Sequence, residues 1–344
     1  MAEIVLTEPP STLHESSDLV ASERVRMRLF EVTPGVFTLE RELTRRDGVA
    51  LTQVIDVPNT ATLHDFATAD PYGLQLAHSY RTIQRKFETA LREISFERVS
   101  ATGLDAEQAI GELENCRTEG ELLLSVRNVV TLLGGREFTY NWLRFTEPEP
   151  DRADLADARF LVGCRASWIQ QYVAKLWYVS DPFIHYARTH VAPTRSSAIS
   201  LHRQDHWLLT EARGHGLYNG LVIPAHVRGN ELVGLLFVTA ATPDGEGEDK
   251  LWERRQLFRA LSAELLDWHI AHVRREALEQ FRLDDQEATV LQMRRWGDSA
   301  RDIADRIGVS ESVAYKIFQR INEKMGVNRI SDAVAKAATS GMID

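Results

Sequence analysis

The last sixty residues contain four short segments of helical periodicity separated by glycine-bearing turns. Asp284 and Glu287 are spaced as a reciprocal cap at the start of the first segment. Gly297, Gly308 and Gly326 follow the first three segments, where glycine commonly ends a helix. Two helices joined by a short turn and supported by two others are typical of a helix-turn-helix domain. The sequence therefore predicts an all-α, four-helix domain at this end of the chain.

The charge of this segment limits how it could contact nucleic acid. Residues 283–344 hold nine Lys or Arg and ten Asp or Glu, and the whole chain has a formal net charge of −10. This balance excludes general coating of nucleic acid but allows a local contact. Affinity for DNA must then come from the placement of individual cations and from dimerisation.

The same segment resembles the DNA-binding domain of LuxR-type regulators. The resemblance rests on Ile303-Ala304, on Ile307-Gly308-Val309-Ser310-Glu311 and on Lys324-Met325-Gly326-Val327-Asn328-Arg329. The third helix enters the major groove in this family, which implies that its exposed side chains contact a double-stranded DNA operator. These predicted contact residues are Ser312, Tyr315, Lys316, Gln319 and Arg320.

A chain of 344 residues is long for one core, and we predict three domains. They are an accessory segment of unknown role at 1–105, a sensor and dimerisation domain at 106–277, and the DNA-binding domain at 278–344. The two cysteines do not form a disulfide framework, and the first residues lack a signal-peptide layout. No apolar run approaches the length of a membrane span. A cytoplasmic protein is expected.

The pattern of periodicity predicts an α+β protein. Residues 1–20 are expected to be a tail, and residues 24–57 alternate as in a small antiparallel sheet, which with a following helix makes a small α+β extension. The sensor is expected to begin with a long helix over 107–133 and to close with another over 248–281. Strands between them predict an α/β/α sandwich with a mainly antiparallel sheet.

The middle of the chain resembles the autoinducer-binding domain of the same family. The resemblance rests on Trp168, Tyr172 and Asp181-Pro182, with Gly216, Gly220 and Ile223-Pro224 downstream. It implies an N-acyl-homoserine lactone as ligand, with the Trp, Tyr and Asp as its polar contacts. Trp168 and Tyr172 are one helical turn apart, and their N–H and O–H groups can donate to carbonyl oxygens. Asp181 can accept a hydrogen bond from a ligand amide.

Each of these residues also has a purely structural interpretation. Trp168 and Tyr172 could be core aromatics, and Asp181 before Pro182 could form a turn or cap a helix. Ser196 stands where the family has a second pocket tryptophan. The resemblance therefore implies a wider or wetter head-group end beside Ser196, and it leaves the identity of the ligand open.

We therefore predict a ligand-responsive transcriptional regulator that binds DNA as a homodimer and senses an N-acyl-homoserine lactone or a related amphipathic signal. An alternative is a ligand-independent DNA-binding or protein-interaction regulator whose middle domain is only a dimerisation scaffold. An enzyme is disfavoured because no nucleophile, base and orienting group are recognisable together. His202 and His206 have the spacing of a metal pair, but Arg203 replaces the expected glutamate, so no metal site and no cofactor are expected.

Overall fold

The computed structural model describes residues 10–93, 105–146, 155–199, 206–227, 231–240 and 245–343. In these ranges the strands are β1 Ser11–Val20, β2 Glu23–Thr33, β3 Val36–Thr44, β4 Ala50–Asp56, β5 Gly135–Phe145, β6 Leu155–Gly163, β7 Thr194–Arg195, β8 Gly220–His226 and β9 Leu232–Ala240. The α-helices are α1 Thr60–Ala69, α2 Ala77–Glu93, α3 Ala106–Gly111, α4 Glu119–Leu132, α5 Ala166–Ala174, α6 Pro182–Thr189, α7 His206–Gly214, α8 Gly245–Glu253, α9 Arg255–Phe281, α10 Asp285–Arg295, α11 Ala300–Ile307, α12 Glu311–Met325 and α13 Ile330–Thr339.

All nine strands belong to one sheet, in the order β1-β2-β3-β4-β6-β5-β9-β8-β7. Neighbouring strands are antiparallel except β4 and β6, which are parallel, with Leu51 opposite Ala158 and Ile55 opposite Val162. The strands of the predicted accessory segment are thus continuous with those of the predicted sensor. The mixed α+β class and the mainly antiparallel sheet are confirmed.

The division of the chain differs from the predicted boundaries. One compact unit extends to Leu266 and a second begins at Asp267. No division falls at residue 105, because Phe66 of α1, Phe87 of α2 and Ile169 of α5 belong to the same buried apolar cluster. Helix α9 contains the division, since it begins in the first unit and ends in the second.

Helices cover both faces of the sheet in the first unit. Leu143 and Phe145 of β5 pack on one face in the same cluster as side chains of α1, α2, α5 and α6. On the other face the Arg127 guanidinium of α4 lies 5.9 Å from the ring centre of Phe138. A side chain at Gly234 of β9 would collide there with the Tyr140 hydroxyl and lie close to α9. This arrangement is the expected α/β/α sandwich.

Several elements differ from their predicted extent. Residues 11–20, expected within a tail, form the edge strand β1. The exposure of its side chains alternates, but its residues are mostly polar, so the sequence shows no alternation of apolar and polar residues. The predicted helix over 107–133 is broken, because Thr118 and Glu121 form a capping box that starts α4. The predicted helix over 248–281 is likewise two helices, α8 and α9.

A buried ion pair joins the third strand to the end of α1. Arg41 Nε and Nη2 donate to the two carboxylate oxygens of Asp70 at 2.9 and 3.0 Å, and both side chains are fully buried. The Tyr80 hydroxyl and the Tyr72 backbone N–H also donate to Asp70. Burial and the neighbouring carboxylate raise the pKa of Tyr80 well above its ordinary value. The tyrosine therefore stays a neutral donor within this network.

The second unit contains the four predicted helices α10 to α13. Asp284 and Glu287 form the expected capping box at the start of α10. Gly308 and Gly326 end α11 and α12 with φ of 71° and 64°, a left-handed conformation in which glycine carries no Cβ penalty. A separate apolar cluster that includes Ile303, Phe318 and Ile321 holds the four helices together. No helix in the described ranges is long and apolar enough to cross a bilayer.

Candidate functional site

A cavity in the first unit, called here the sensor cavity, lies between the sheet and helix α5. Its floor includes Thr139 and Asn141 of β5, which face Phe237 and Leu235 of β9 in register. Side chains two residues apart on a strand point to the same side, so these four meet on one face. The cavity contains about 490 Å³ of space not occupied by protein atoms, part of it open to solvent.

Helices supply the walls of the sensor cavity, and most of the wall is apolar. Trp168 and Tyr172 enter it from one side of α5, as their spacing predicted. Polar groups are few and include the Tyr172 hydroxyl and the Asp181 carboxylate. The remaining lining residues are Ile169, Phe183, Leu208, Leu209, Ala212 and Leu217. An apolar chamber with a few convergent polar groups suits an amphipathic small molecule.

Asp181 and Tyr172 form the polar centre of the cavity. The Tyr172 hydroxyl donates to Asp181 Oδ2 at 2.6 Å. Asp181 also caps helix α6, because its Oδ1 accepts from the Phe183 backbone N–H at 2.7 Å. Burial and the adjacent carboxylate raise the pKa of Tyr172 well above its ordinary value, so the phenol remains a donor. The two interpretations of Asp181, helix cap and cavity wall, are therefore both realised.

Trp168 combines a structural and a cavity-lining position in the same way. Its ring centre lies 5.5 Å from that of Tyr172, 5.4 Å from Trp177 and 5.5 Å from His215. The Ser167 hydroxyl is 3.3 Å from His215 Nδ1. Burial and the nearby guanidinium of Arg165 lower the pKa of His215, which favours a neutral ring in this cluster. These aromatic contacts hold the Trp168 ring in place where it lines the cavity.

Ser196 is not among the residues that line the sensor cavity. It is buried beside β8, where its hydroxyl accepts from the Gly220 N–H at 2.9 Å and donates to Glu248 Oε1 at 3.1 Å. Ser197 donates to the same carboxylate through its backbone N–H and its hydroxyl. These bonds tie the segment after β7 to helix α8. The expectation that Ser196 forms the head-group end of the cavity therefore lacks support from this geometry.

Thr139 and Asn141 are cavity residues that the sequence interpretation missed. A signal for them was present, because two polar residues alternate with large apolar ones in an otherwise buried strand. Such side chains lie on one face and need polar partners when they are buried. Here that face is the floor of the sensor cavity.

Helix α12 of the second unit presents the five residues predicted to contact DNA. Ala314, Ile317 and Ile321 are buried, and the predicted residues lie on the exposed positions between them. The exposed fraction of Tyr315 is 55%, which makes it a large apolar group at this surface. A shallow groove runs beside it and is also lined by Asn328 and Arg329, two residues not predicted to contact DNA.

Arg320 also has a carboxylate partner within the second unit. Its Nε donates to Glu287 Oε1 at 2.6 Å, and Lys324 Nζ donates to Glu287 Oε2 at 2.7 Å. Burial alone would raise the pKa of Glu287, but the hydrogen bonds from Lys324, Asp284 N–H and Arg320 hold it below its ordinary value. Arg320 is therefore a positioning residue for α10 and α12 as well as an exposed cation.

His202, the first histidine of the pair considered as a metal site, lies outside the described residues. Within the part of the chain that the structure describes, no three His, Cys, Asp or Glu side chains are grouped so that they could hold a metal ion.

Comparison with known proteins extends these observations. The autoinducer binding domain family matches residues 118–267. The transcriptional activator proteins AhyR of Aeromonas hydrophila and AsaR of Aeromonas salmonicida are each 26% identical over 234 residues, which cover 66% of this chain and 87% of each relative. The crystal structure of Escherichia coli SdiA is 17% identical, covers 69% of this chain and 97% of its own, and superposes with a TM-score of 0.47. The N-acylhomoserine lactone dependent factor CepR2 of Burkholderia cenocepacia is 18% identical over 48% of this chain and 94% of its own, with a TM-score of 0.39.

The matched range includes every element that forms the sensor cavity. The match to residues 118–267 agrees with the predicted autoinducer-binding domain in the middle of the chain. The relatives are regulators, in agreement with the prediction that the chain is not an enzyme.

Proposed function

We propose that this chain is a LuxR-type quorum-sensing regulator that binds an N-acyl-homoserine lactone or a related amphipathic signal in the sensor cavity and thereby controls its binding to DNA. The observation that carries the proposal is the Tyr172–Asp181 pair at the centre of an apolar cavity. A carboxylate has about four acceptor positions, so Asp181 can accept a ligand N–H while it keeps its internal bonds.

The remaining polar groups fit the carbonyl oxygens of such a ligand. The indole N–H of Trp168 and the side chains of Thr139 and Asn141 line the same cavity. Apolar residues of α7 and β9 would surround the acyl chain, where burial of each methylene contributes about 0.8 kcal/mol. In this proposal the floor residues, rather than Ser196, contribute to recognition of the head group.

For the second unit we propose that helix α12 enters the major groove of a double-stranded operator. The protein would bind as a homodimer to two half-sites about one helical turn apart. Helix α9, at 27 residues, is the proposed dimer contact, because it directly precedes the four helices α10 to α13 in the chain. In the cytoplasm, ligand binding would change the fraction of dimers that have high affinity for the operator.

The sharpest test of the cavity is Asp181→Ala. An N-acyl-homoserine lactone at a hundredfold excess over its dissociation constant should stabilise the wild type by about 2.7 kcal/mol. Loss of the carboxylate leaves the ligand amide unpaired, so affinity should fall roughly tenfold to a hundredfold. Thermal melts with and without ligand measure this increment. Some loss of stability without ligand is also expected, about 1 kcal/mol, because the cap of α6 is removed.

Asp65→Ala is the matched control for the lost cap. Asp65 Oδ2 accepts from the Ser167 backbone N–H at the start of α5 and does not line the cavity. This variant should also lose stability, but its ligand increment should survive. A full ligand increment in Asp181→Ala would contradict the proposed cavity. The scaffold alternative predicts no ligand increment in any of the proteins, including the wild type.

A second prediction concerns the proposed DNA contact. Lys316→Ala should weaken operator binding and reduce the slope of affinity against salt by about one if Lys316 contacts a phosphate. A base contact would instead cost about 1–3 kcal/mol and relax sequence preference. Lys316 is the better choice than Arg320, whose removal would also disturb Glu287. Titrations of operator DNA at several salt concentrations measure both quantities.

Lys86→Ala controls for the change in net charge, since Lys86 is an exposed cation of α2 in the other unit. Its operator affinity should equal that of the wild type. Equal affinity of Lys316→Ala would exclude the proposed orientation of α12.

A further inference from the structure

A second cavity in the first unit, called here the Arg45 cavity, lies between the N-terminal strands and helix α5. It contains about 620 Å³ of space not occupied by protein atoms, part of it open to solvent. Leu43, Arg45 and Leu51 line it from β3, β4 and their connection. Gln170 and Val173 line it from α5. Its residues are distinct from those of the sensor cavity.

Helix α5 separates the two cavities. Trp168 and Tyr172 line the sensor cavity, whereas Gln170 and Val173 line the Arg45 cavity. The wall of the Arg45 cavity opposite α5 comes from the N-terminal strands, which belong to the same sheet. Neither cavity shares a lining side chain with the other.

A buried polar group on α5 points to a ligand in the Arg45 cavity. Gln170 is only 1% exposed, and its amide Nε2 has no hydrogen-bond partner among the residues that the structure describes. An unpaired buried amide costs about 1–3 kcal/mol, which a ligand acceptor would recover. Because Gln170 lines the cavity, a carboxylate or carbonyl oxygen there could accept from it.

The charges around the cavity restrict the class of ligand. Arg41 also lines the wall, but its charge is matched by the buried carboxylate of Asp70. Among the described lining residues this leaves one cation, Arg45, and one anion, Glu23, to which the Tyr72 hydroxyl donates at 2.6 Å. Arg45 contacts the Tyr178 hydroxyl and the exposed side chain of Asp47, and exposed ion pairs exchange partners at little cost.

We propose that the Arg45 cavity binds a small zwitterion with an apolar side chain, of the α-amino acid class. Arg45 and Gln170 hold its carboxylate, and Glu23 holds its ammonium group. Leu43, Leu51 and Val173 pack against its side chain. One cation, one anion and an apolar wall complement all three parts of such a molecule.

Calorimetric titration of the full chain with L-leucine tests this proposal. Two analogues that each lack one charged group serve as matched probes: 4-methylpentanoate lacks the ammonium group, and 3-methylbutylamine lacks the carboxylate. Leucine should bind saturably at one site, and each analogue should bind at least about tenfold more weakly, because one charge in the wall is left unmatched. The proposal is overturned if leucine does not bind, or if either analogue binds as tightly as leucine.

Variants of the lining residues test whether leucine binds in the Arg45 cavity. Arg45→Met and Gln170→Met should each weaken leucine binding by about tenfold or more. Arg46→Met is the matched control, because the neighbouring guanidinium donates to the Ala21 carbonyl and lies outside the cavity lining. Arg46→Met and Asp181→Ala should keep the wild-type affinity. Loss of leucine binding in Asp181→Ala with retention in Arg45→Met would place the amino acid in the sensor cavity and refute the proposal.

Discussion

We expect that a chain beginning at residue 105 does not form a soluble, folded first unit, although it retains the whole range that matches the autoinducer binding domain. Removal of β4 leaves the hydrogen-bonding edge of β6 unpaired, and such edges promote association. Removal of α1 and α2 also uncovers apolar side chains that pack with α5. Each uncovered side chain costs about 1.5–3 kcal/mol, so a few of them equal the stability of a typical domain.

The soluble fraction after expression and the cooperativity of the thermal melt check this expectation. A chain of residues 267–344 is the control, because the second unit has its own apolar cluster and should keep its helical circular dichroism. A soluble 105–344 chain with a cooperative melt and unchanged ligand binding would mean that the N-terminal strands are accessory after all.

Asp70→Asn is expected to destabilise the first unit by about 3–5 kcal/mol, because it leaves the Arg41 guanidinium buried without a counter-charge. The amide also cannot accept from Arg41, Tyr80 and Tyr72 as the carboxylate does. Urea denaturation, extrapolated linearly to water, measures the free energy of unfolding.

Two further variants serve as controls for the Asp70→Asn result. Glu15→Gln breaks the exposed pair with Arg26 and should change the free energy of unfolding by less than about 1 kcal/mol. The double variant Arg41→Met with Asp70→Leu replaces the pair by apolar side chains and should recover most of the loss. A loss below about 1 kcal/mol in Asp70→Asn would show that water reaches the pair and screens it.

Local sequence signals determined much of the second unit and part of the sensor cavity. Caps and glycines gave the ends of α10 to α12, since these depend on residues three or four positions apart. The spacing of Trp168 and Tyr172 placed both on one side of α5 for the same reason. Asp181 required the family resemblance, because a helix cap and a cavity residue look alike in sequence.

Long-range pairing accounts for what the sequence did not reveal. Periodicity indicates that residues 50–56 form a strand, but it does not identify β6 as their partner. The position of Ser196 against Glu248 likewise depends on a contact between segments about fifty residues apart, which no local pattern encodes. The same is true of Arg320, whose bond to Glu287 is invisible in the spacing of either helix.

The parallel pairing of β4 with β6 also has a consequence for how the chain is made. Leu51 can pair with Ala158 only after Ala158 has been synthesised, and about a hundred residues lie between the two in the chain. Closing so large a loop is slow, and until it closes the first four strands and their apolar side chains are exposed to other nascent chains. We therefore expect the yield of folded protein to depend on the time between synthesis of residue 56 and of residue 163.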